Sequence, residues 1–548
     1  MRITLVLVVA CGQPASPRVP DLATLGAPGL HAIDPAKLEA NTKFLSSDEL
    51  AGRGTGTAGG ARAEQYIAEQ FAALGLEPAG EHGTYFQTVP LREATRIDAQ
   101  TSLVFHAHGG DVELIGGRDA ALFGDPHAAD VSIDAPLVFV GYGLAIPGYD
   151  DLAGVDLHGA IAVVFGGAPR TIGGHALDTS QHAVMSDTKV RTRALRDRGA
   201  RAMIVVYDPS RAERMPFAEW LPKTLGSSMA WLDEHGEPGS MSVLPTVVIG
   251  EASLDKLLAG RAHAAWTALD KGEVTHVELG ATASLRIRSE VHDVTARNVV
   301  GLLRGSDPAG ETVVYTAHSD HLGIGPAIDG DTIYNGALDN AVGVAAILEI
   351  ARAFRALPQP PRRSILFLAV TGEEKGLLGS DYFARHPTLP INHVVADINI
   401  DGLTVNWEAF DIVPLGAEHS TLAAHVSAAA RATGYAISDD PEPQQVFFIR
   451  SDQYSFVQRG VPSIFPTGGY KDAHGATAAN LAISDAWAAE HYHRPSDVWR
   501  PEYRASWGVH EAGFDFLVGL SVATTAERPH WNPGDAFGHS VSGSTTAP

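Results

Sequence analysis

The sequence predicts an α/β protein whose mostly parallel mixed sheet is flanked by helices and interrupted by a separate β-rich module. Three observations carry this expectation. Beyond residue 280, short apolar runs alternate with helix-patterned segments, the order that strand–helix–strand units impose. Between about 130 and 250 the texture changes to apolar runs separated by Gly, Pro and Asp, as in a compact β module. Finally, carboxylates and histidines recur just after the apolar runs, at what would be one edge of an open sheet.

The elements follow in order along 548 residues, a length that suits about three domains. The chain starts MRITLVLVVACGQPASP: one basic residue, an apolar run Ile3–Ala10, then Cys11. That is the layout of a secretory signal, and Val8-Val9-Ala10-Cys11 resembles a bacterial lipobox, in which the cysteine carries lipid. Residues 1–11 therefore read as a leader and 12–33, rich in Pro, Ala and Gly, as a tether. The expected location is extracytoplasmic, as a membrane-anchored bacterial lipoprotein of the periplasm or cell surface, touching membrane only through Cys11. Cys11 is the single cysteine, so no intrachain disulfide can form. No later run approaches the ~18 apolar residues of a membrane span.

From Asp34 a helical pattern runs through KLEANTKFLSSDEL, followed by AGRGTGTAGG and a second helix at Arg62–Leu74. Gly54-x-Gly56-x-x-Gly59 formally matches a dinucleotide fingerprint. A helix precedes it where the motif needs a strand, so it reads as a plain Gly-rich loop. APLVFVGYGL, LHGAIAVVF and ARAMIVVYD are strands of the β-rich module, with a helix around Val190–Arg198. ETVVYTA, SILFLAV, NHVVADINI and VPSIF are strands of the second half. NAVGVAAILEIARAF is a helix with small and aliphatic residues at three- and four-residue spacing. The last stretch, after about Glu527, is rich in Pro, Gly, Ser and Thr and reads as a frayed tail.

The net charge of -24 argues against a nucleic-acid surface, which needs clustered Lys and Arg. The chemistry is instead concentrated after the strands. ETVVYTA leads into His318-Ser319-Asp320-His321, SILFLAV into Glu373-Glu374, and NHVVADINI into Asp401; Asp339-Asn340 heads the long helix. Ligands of open α/β sheets bind at the carboxyl ends of strands, and an anion also suits a helix N-terminus. Imidazole and carboxylate without thiolate suit zinc or a similar divalent ion. HYHRPSDVW, beside a strand-like stretch, offers a further histidine, which leaves enough donors for two metals sharing a carboxylate. Adjacent Glu373 and Glu374 would repel one another unless one faces a metal and the other serves as general base.

The set AHSDH, GALDNAVG, TGEEKGLLGS, NIDG and YHRPSD resembles the bacterial and vacuolar di-zinc aminopeptidases, with all five motifs in family order. The resemblance implies a phosphorylase/peptidase-like α/β sandwich and two Zn2+ ions. His318, Asp339, Glu374, Asp401 and His493 would be the metal ligands, with Asp339 bridging. Glu373 would be the general base, and Asp320 would orient the His318 imidazole. The family pattern passes over His321 and His491. It also implies a discontinuous catalytic domain at 34–120 and 280–525, with a C-terminal tail at 526–548. The insert 121–279, with GVDLHGAIAVV, resembles a protease-associated domain. Leu338 stands where many relatives have an acid, Val342 replaces a small polar residue, and Gln453 takes a place where His is frequent, beside Asp452. The implied function is hydrolysis of the N-terminal bond of peptide substrates. A carboxypeptidase, a glutaminyl cyclase and an inactive receptor-like binding protein are the alternatives on the same scaffold.

Overall fold

In the computed structural model the described residues are 21–224, 226–239, 244–307 and 310–539. The leader and Cys11 lie outside them. Two hydrophobic cores organise the chain around two sheets.

The first sheet has four parallel strands at its centre, in the order Ser364–Val370, Thr312–His318, Val394–Asn399 and Ser463–Gly468. Antiparallel strands extend it on both sides: His276–Leu303 and Phe86–Arg96 on one, Asp411–Leu415 on the other. The result is the mixed, mostly parallel sheet that the alternating pattern predicts. Its central strands are apolar on both faces because both are covered. Val313, Tyr315, Ala317, Ile365, Phe367 and Ala369 face one core, whereas Val314, Leu366, Leu368 and Val370 face another layer with Phe383 and Phe456. Successive side chains of a strand point to opposite faces, so one continuous hydrophobic run supplies both.

Helix Val342–Arg355 fills the first of these layers. It packs against helices Pro35–Leu45 and Ala505–Thr524 and is almost entirely buried. The stretch read as a tether contributes here as well: Leu22–Ala32 is a helix seated on the same layer. Its small residues, which suggested a flexible linker, permit close approach instead. A side chain at Gly29 would meet the Phe516 ring at 2.4 Å and the Ala353 carbonyl oxygen at 2.9 Å.

The second sheet contains Ser102–Ala107, Asp130–Val140, Ile161–Phe165, Ala202–Val206 and Thr246–Ile249 around a core that includes Phe105, Phe139 and Phe165. Two features depart from the expected boundaries. Ser102–Ala107 and Gly110–Leu114 pair in the second sheet, although their residues fall in the segment assigned to the first domain. Conversely, Ser228–Trp231 leaves the insert to pair with Phe86–Arg96 in the first sheet. The strand His276–Leu303 belongs to both: residues 276–288 pair with Asp130–Val140, and 289–299 with Phe86–Arg96.

The C-terminal stretch is also built in. Trp531 bridges to Ser420, and Phe537 is buried against Phe448 with ring centroids 5.2 Å apart. Two apolar anchors in a polar sequence are enough to dock it. Among the described residues no helix is long and apolar enough to cross a membrane.

Candidate metal centre

Three neighbouring parallel strands end together. Residue His318 pairs with Val370 and Thr316 with Asn399, so the residues after each strand emerge on one edge. His318-Ser319-Asp320-His321, Glu373-Glu374 and Asp401 converge there because the register brings them there. Asp339 joins from the turn Ala337–Ala341 that opens the long helix. Gly336 makes that turn possible: its φ is +60°, and a β-carbon would meet the Asp339 carbonyl oxygen at 2.3 Å and the His321 ring at 2.5 Å.

Two poles share Asp339. At the first, His318 Nε2 lies 3.3 Å from Asp339 Oδ1 and 3.2 Å from Asp401 Oδ1. At the second, His493 Nε2 lies 3.1 Å from both Asp339 Oδ2 and Glu374 Oε2. His321 Nδ1 approaches Glu374 Oε1 at 2.6 Å on the other side. Two trios, His318/Asp339/Asp401 and His321/Asp339/Glu374, each place one donor atom per residue within 4.8 Å of the others. All five residues expected as ligands therefore come together, with Asp339 between the two poles.

The donors fit a divalent cation. His321 is fully buried; its Nδ1 meets only Glu374 Oε1, in a contact not aligned as a hydrogen bond, and its Nε2 has no hydrogen-bond partner among the described residues. Buried polar atoms are rarely left unsatisfied without a further group to meet them. Imidazoles and carboxylates with no thiolate match zinc's preferences.

Glu373 and Glu374 are adjacent but differently placed. Burial opposes ionisation of Glu374, yet His493 and His321 hold its carboxyl down to about 2. Burial pushes Glu373 well above the carboxylate range; Asp401, Glu374 and Asp452 add repulsion, against the pull of His318. The Glu373 carboxylate makes no hydrogen bond to a described residue and lines the cleft. Asp320 is buried behind it, accepting from Thr55 Oγ1 at 2.8 Å and from the Glu373 N–H at 3.1 Å. The Asp320 backbone carbonyl also accepts from His318 Nδ1 at 3.2 Å. Residue 320 thus steadies both the imidazole and the backbone that carries Glu373.

Two details differ from expectation. Residues 491–496 form turns and a bend, not a strand; His493 has φ of +57° and turns inward, with Tyr492 stacked on it at 3.9 Å between ring centroids. His491 points elsewhere and meets Ser496 Oγ at 2.9 Å. His321, passed over by the family pattern, is the one that enters. Gln453 is buried and accepts from Asn399 Nδ2 at 2.8 Å, so it supports the strand end and does not line the cleft.

Several supporting residues carry no sequence signal of their own. Asp497 accepts from the Leu338 N–H at 3.0 Å and the Asp339 N–H at 3.1 Å. Ser451 Oγ donates to Asp401 Oδ2 at 2.7 Å. Asn298 ties the Glu373 loop, accepting from the Thr371 N–H at 3.0 Å and donating to the Gly379 carbonyl at 2.9 Å. The buried Arg53 guanidinium donates to the carbonyls of Leu45, Ser319, Asn335 and Gly336, joining the His318 and Asp339 segments. Burial draws it down to about 10, against the attraction of the surrounding acids. Of these, Asp497 lies inside the motif YHRPSD and Arg53 inside the Gly-rich stretch AGRGTGTAGG, which gave no hint of its role.

Comparison with known proteins relates part of the chain to peptidases. Residues 298–514 match Peptidase family M28. Aminopeptidase YwaD of Bacillus subtilis (strain 168) is 29% identical over 128 residues, covering 23% of this chain and 26% of that protein. A Glutamate carboxypeptidase 2 homolog of Caenorhabditis elegans is 28% identical over 211 residues, covering 36% of this chain and 26% of its own. The chain thus spans about a quarter of the length of these curated relatives. The solved aminopeptidase from Aneurinibacillus sp. strain AM-1 superposes with a TM-score of 0.53 at 20% identity, covering 92% of this chain and 97% of its own. At that identity the likeness is one of fold.

Proposed function

Starting from a peptidase family M28 region over residues 298–514, we propose that the protein is a zinc-dependent aminopeptidase that removes the N-terminal residue of peptides, with Glu373 as general base. The observation that carries this reading is the split between adjacent carboxylates: Glu374 is locked between two imidazoles, while Glu373 faces the cleft unpaired. His318, Asp339, Glu374, Asp401 and His493 would hold two zinc ions, with His321 an additional donor to the Glu374 pole. Zinc bound there would supply Lewis acidity to the attacking water and the scissile carbonyl.

The remaining chemistry belongs to the chain. Burial raises Glu373, and cations bound at the two poles would draw it back toward its carboxylate; in that form it would accept the proton of the attacking water and pass it to the departing amine. Asp320 keeps Glu373 aimed by accepting its backbone N–H. Glu373, the cleft acid near the centre that is not assigned to the metals, is the group available to a substrate's amino terminus there. The leader Ile3–Ala10 and Cys11 support an extracytoplasmic, lipid-anchored location; a Cys11→Ser variant that stays equally membrane-associated would overturn that part.

Aminoacyl and N-blocked peptides, each with chelator controls, test the reaction. Glu373→Gln should lower turnover by about 10²–10⁴-fold, the usual contribution of general-base catalysis, while retaining metal. Glu374→Gln should lose metal. Metal loss in the first variant with retention of metal and activity in the second would reverse the roles. Hydrolysis of blocked and free peptides alike would refute the aminopeptidase assignment.

A further inference from the structure

The cleft that contains the metal centre extends, with a volume of about 820 Å³, to a wall formed by both sheets' domains. Arg211 from the insert and Arg450 from the catalytic part stand on that wall. Arg450 lies over the Phe447 ring at 5.1 Å, and Arg214, from the same segment as Arg211, lies over that ring at 5.7 Å, so the two segments meet there and the Arg450 charge opposes that of Arg211. Neither guanidinium has a carboxylate within ion-pair distance or a side-chain hydrogen bond among the described residues, and Arg211 Nε is buried with no partner.

The neighbouring cations are all engaged. Arg214 pairs with Glu442, Lys223 donates to the Tyr492 carbonyl at 2.6 Å, and Lys375 donates to the Ser227 carbonyl at 3.0 Å. Asp208, the acid behind Arg211, is committed to capping its own helix through the Ser210 N–H at 2.9 Å. Asp440, also on the cleft, makes no ion pair with either arginine. Arg211 is the more enclosed of the two, with a buried Nε that lacks a partner, which is costly, and a guanidinium's fork of donors matches a carboxylate.

We infer that Arg211 and Arg450 form a receptor for a carboxylate of the bound peptide, making short peptides with a free carboxyl terminus the preferred substrates. The spacing supports this length. Arg450 is followed immediately by Ser451, which touches Asp401 at the metal centre. The Arg450 backbone thus lies one Cα step, about 3.8 Å, from a residue at the centre, so a peptide whose amino end sits there comes within reach of Arg450 after a few residues. The same chemistry would accept an acidic side chain at the second or third residue. The inference rests on the exopeptidase reading of the metal centre.

The test compares kcat/KM for Leu-Gly-Gly and its C-terminal amide, and for Leu-Glu-amide and Leu-Gln-amide, on the full zinc-loaded protein. Charge-assisted hydrogen bonds of this kind give about 10- to 100-fold, so the acid should exceed the amide by that factor, mainly through KM. Preference confined to Leu-Glu-amide would assign the receptor to a side chain. In Arg450→Gln, Arg211→Gln and the double variant, the acid-to-amide ratio should fall stepwise toward one. Arg450 is exposed, so its variant tests the idea even if Arg211→Gln fails to fold. Calorimetric binding of Leu-Gly-Gly and its amide to Glu373→Gln protein reads the same ratio without turnover. Hydrolysis of no peptide, with the binding preference intact, would defeat the exopeptidase reading alone. Equal binding of acid and amide, or a ratio unaltered in the double variant, would overturn the receptor.

Discussion

Replacing Asp497 by Asn isolates how much the metal centre depends on a carboxylate that never reaches it. Asp497 is fully buried, and its two oxygens accept the N–H groups of Leu338 and Asp339, at 3.0 and 3.1 Å. Asn fills the same volume but offers one acceptor oxygen, and its amide NH₂ would confront the second N–H. One charge-assisted hydrogen bond is lost, about 1.5–3 kcal/mol, and one buried donor is left unsatisfied, about 1–3 kcal/mol. The sum is about 2.5–6 kcal/mol, relieved by the Leu338–Asp339 turn moving away. That turn carries the one carboxylate among the described residues that is shared by both poles, 3.3 Å from His318 and 3.1 Å from His493. If half of the cost appears in metal binding, affinity falls about 10- to 100-fold. Competition with a chelator of known affinity, read by elemental analysis, measures this, and urea unfolding of metal-free protein gives the remainder. Wild-type metal affinity in Asp497→Asn would refute the argument. So would loss confined to one ion, because a displaced Asp339 must weaken both.

Other expectations follow from individual side chains. His321→Phe should weaken metal retention while leaving the fold intact, since the only polar contact of the imidazole among the described residues is with Glu374, itself a donor of the centre; unchanged metal content would remove His321 from the donor set. Arg53→Met leaves four buried carbonyls without their donor, and should cost about 3–5 kcal/mol in urea unfolding; a loss below ~1 kcal/mol would show that water replaces the guanidinium. Burial opposes protonation of His419, but hydrogen bonds to Asp535 at 2.7 Å and Glu418 at 3.2 Å hold its imidazole up to about 9. Its folded-state pKa is raised, so this stabilisation is complete below about pH 6.5 and is lost as pH rises through about 9, up to ~3 kcal/mol. Proteolysis of the C-terminal segment should accelerate over that window in the parent protein and show no such window in His419→Gln.

The sheet and the acids around it are legible because they obey simple periodicities. Ser364–Val370 is apolar without interruption, which only a strand covered on both faces tolerates, and Glu373-Glu374 follows at the position where such sheets bind ligands. The inward face of a turn has no such signature. His491 and His493 are alike by spacing, and only the positive φ of His493 decides which turns in. His321 enters because Gly336 lets the ring approach, a contact between residues far from obvious in sequence. Arg53 is one of 40 basic residues, and nothing local marks a guanidinium that will bond only to carbonyls. The N-terminal helix Leu22–Ala32 was hidden by its glycines, whose value lies in contacts with Phe516 and Leu517 that are made across the whole chain. Domain borders were obscured for a related reason: Ser228–Trp231 crosses back to a partner strand about 140 residues earlier.

The strand His276–Leu303 gives the molecule a shared backbone ladder. Melting either sheet strips partners from the same continuous segment, so the two cores are tied by hydrogen bonds as well as by a surface contact. Domains joined only through linkers move as independent bodies; a common strand with no linker opposes such hinging, and the distance from the zinc donors to Arg211 becomes a fixed property of the scaffold. Selection among substrates would then act as a ruler, measuring chain length against a rigid frame, with no lid that has to close. For protein engineers the same strand sets the graft point: an insert exchanged between homologues must bring its own version of residues 276–288 and inherit 289–303 from the host.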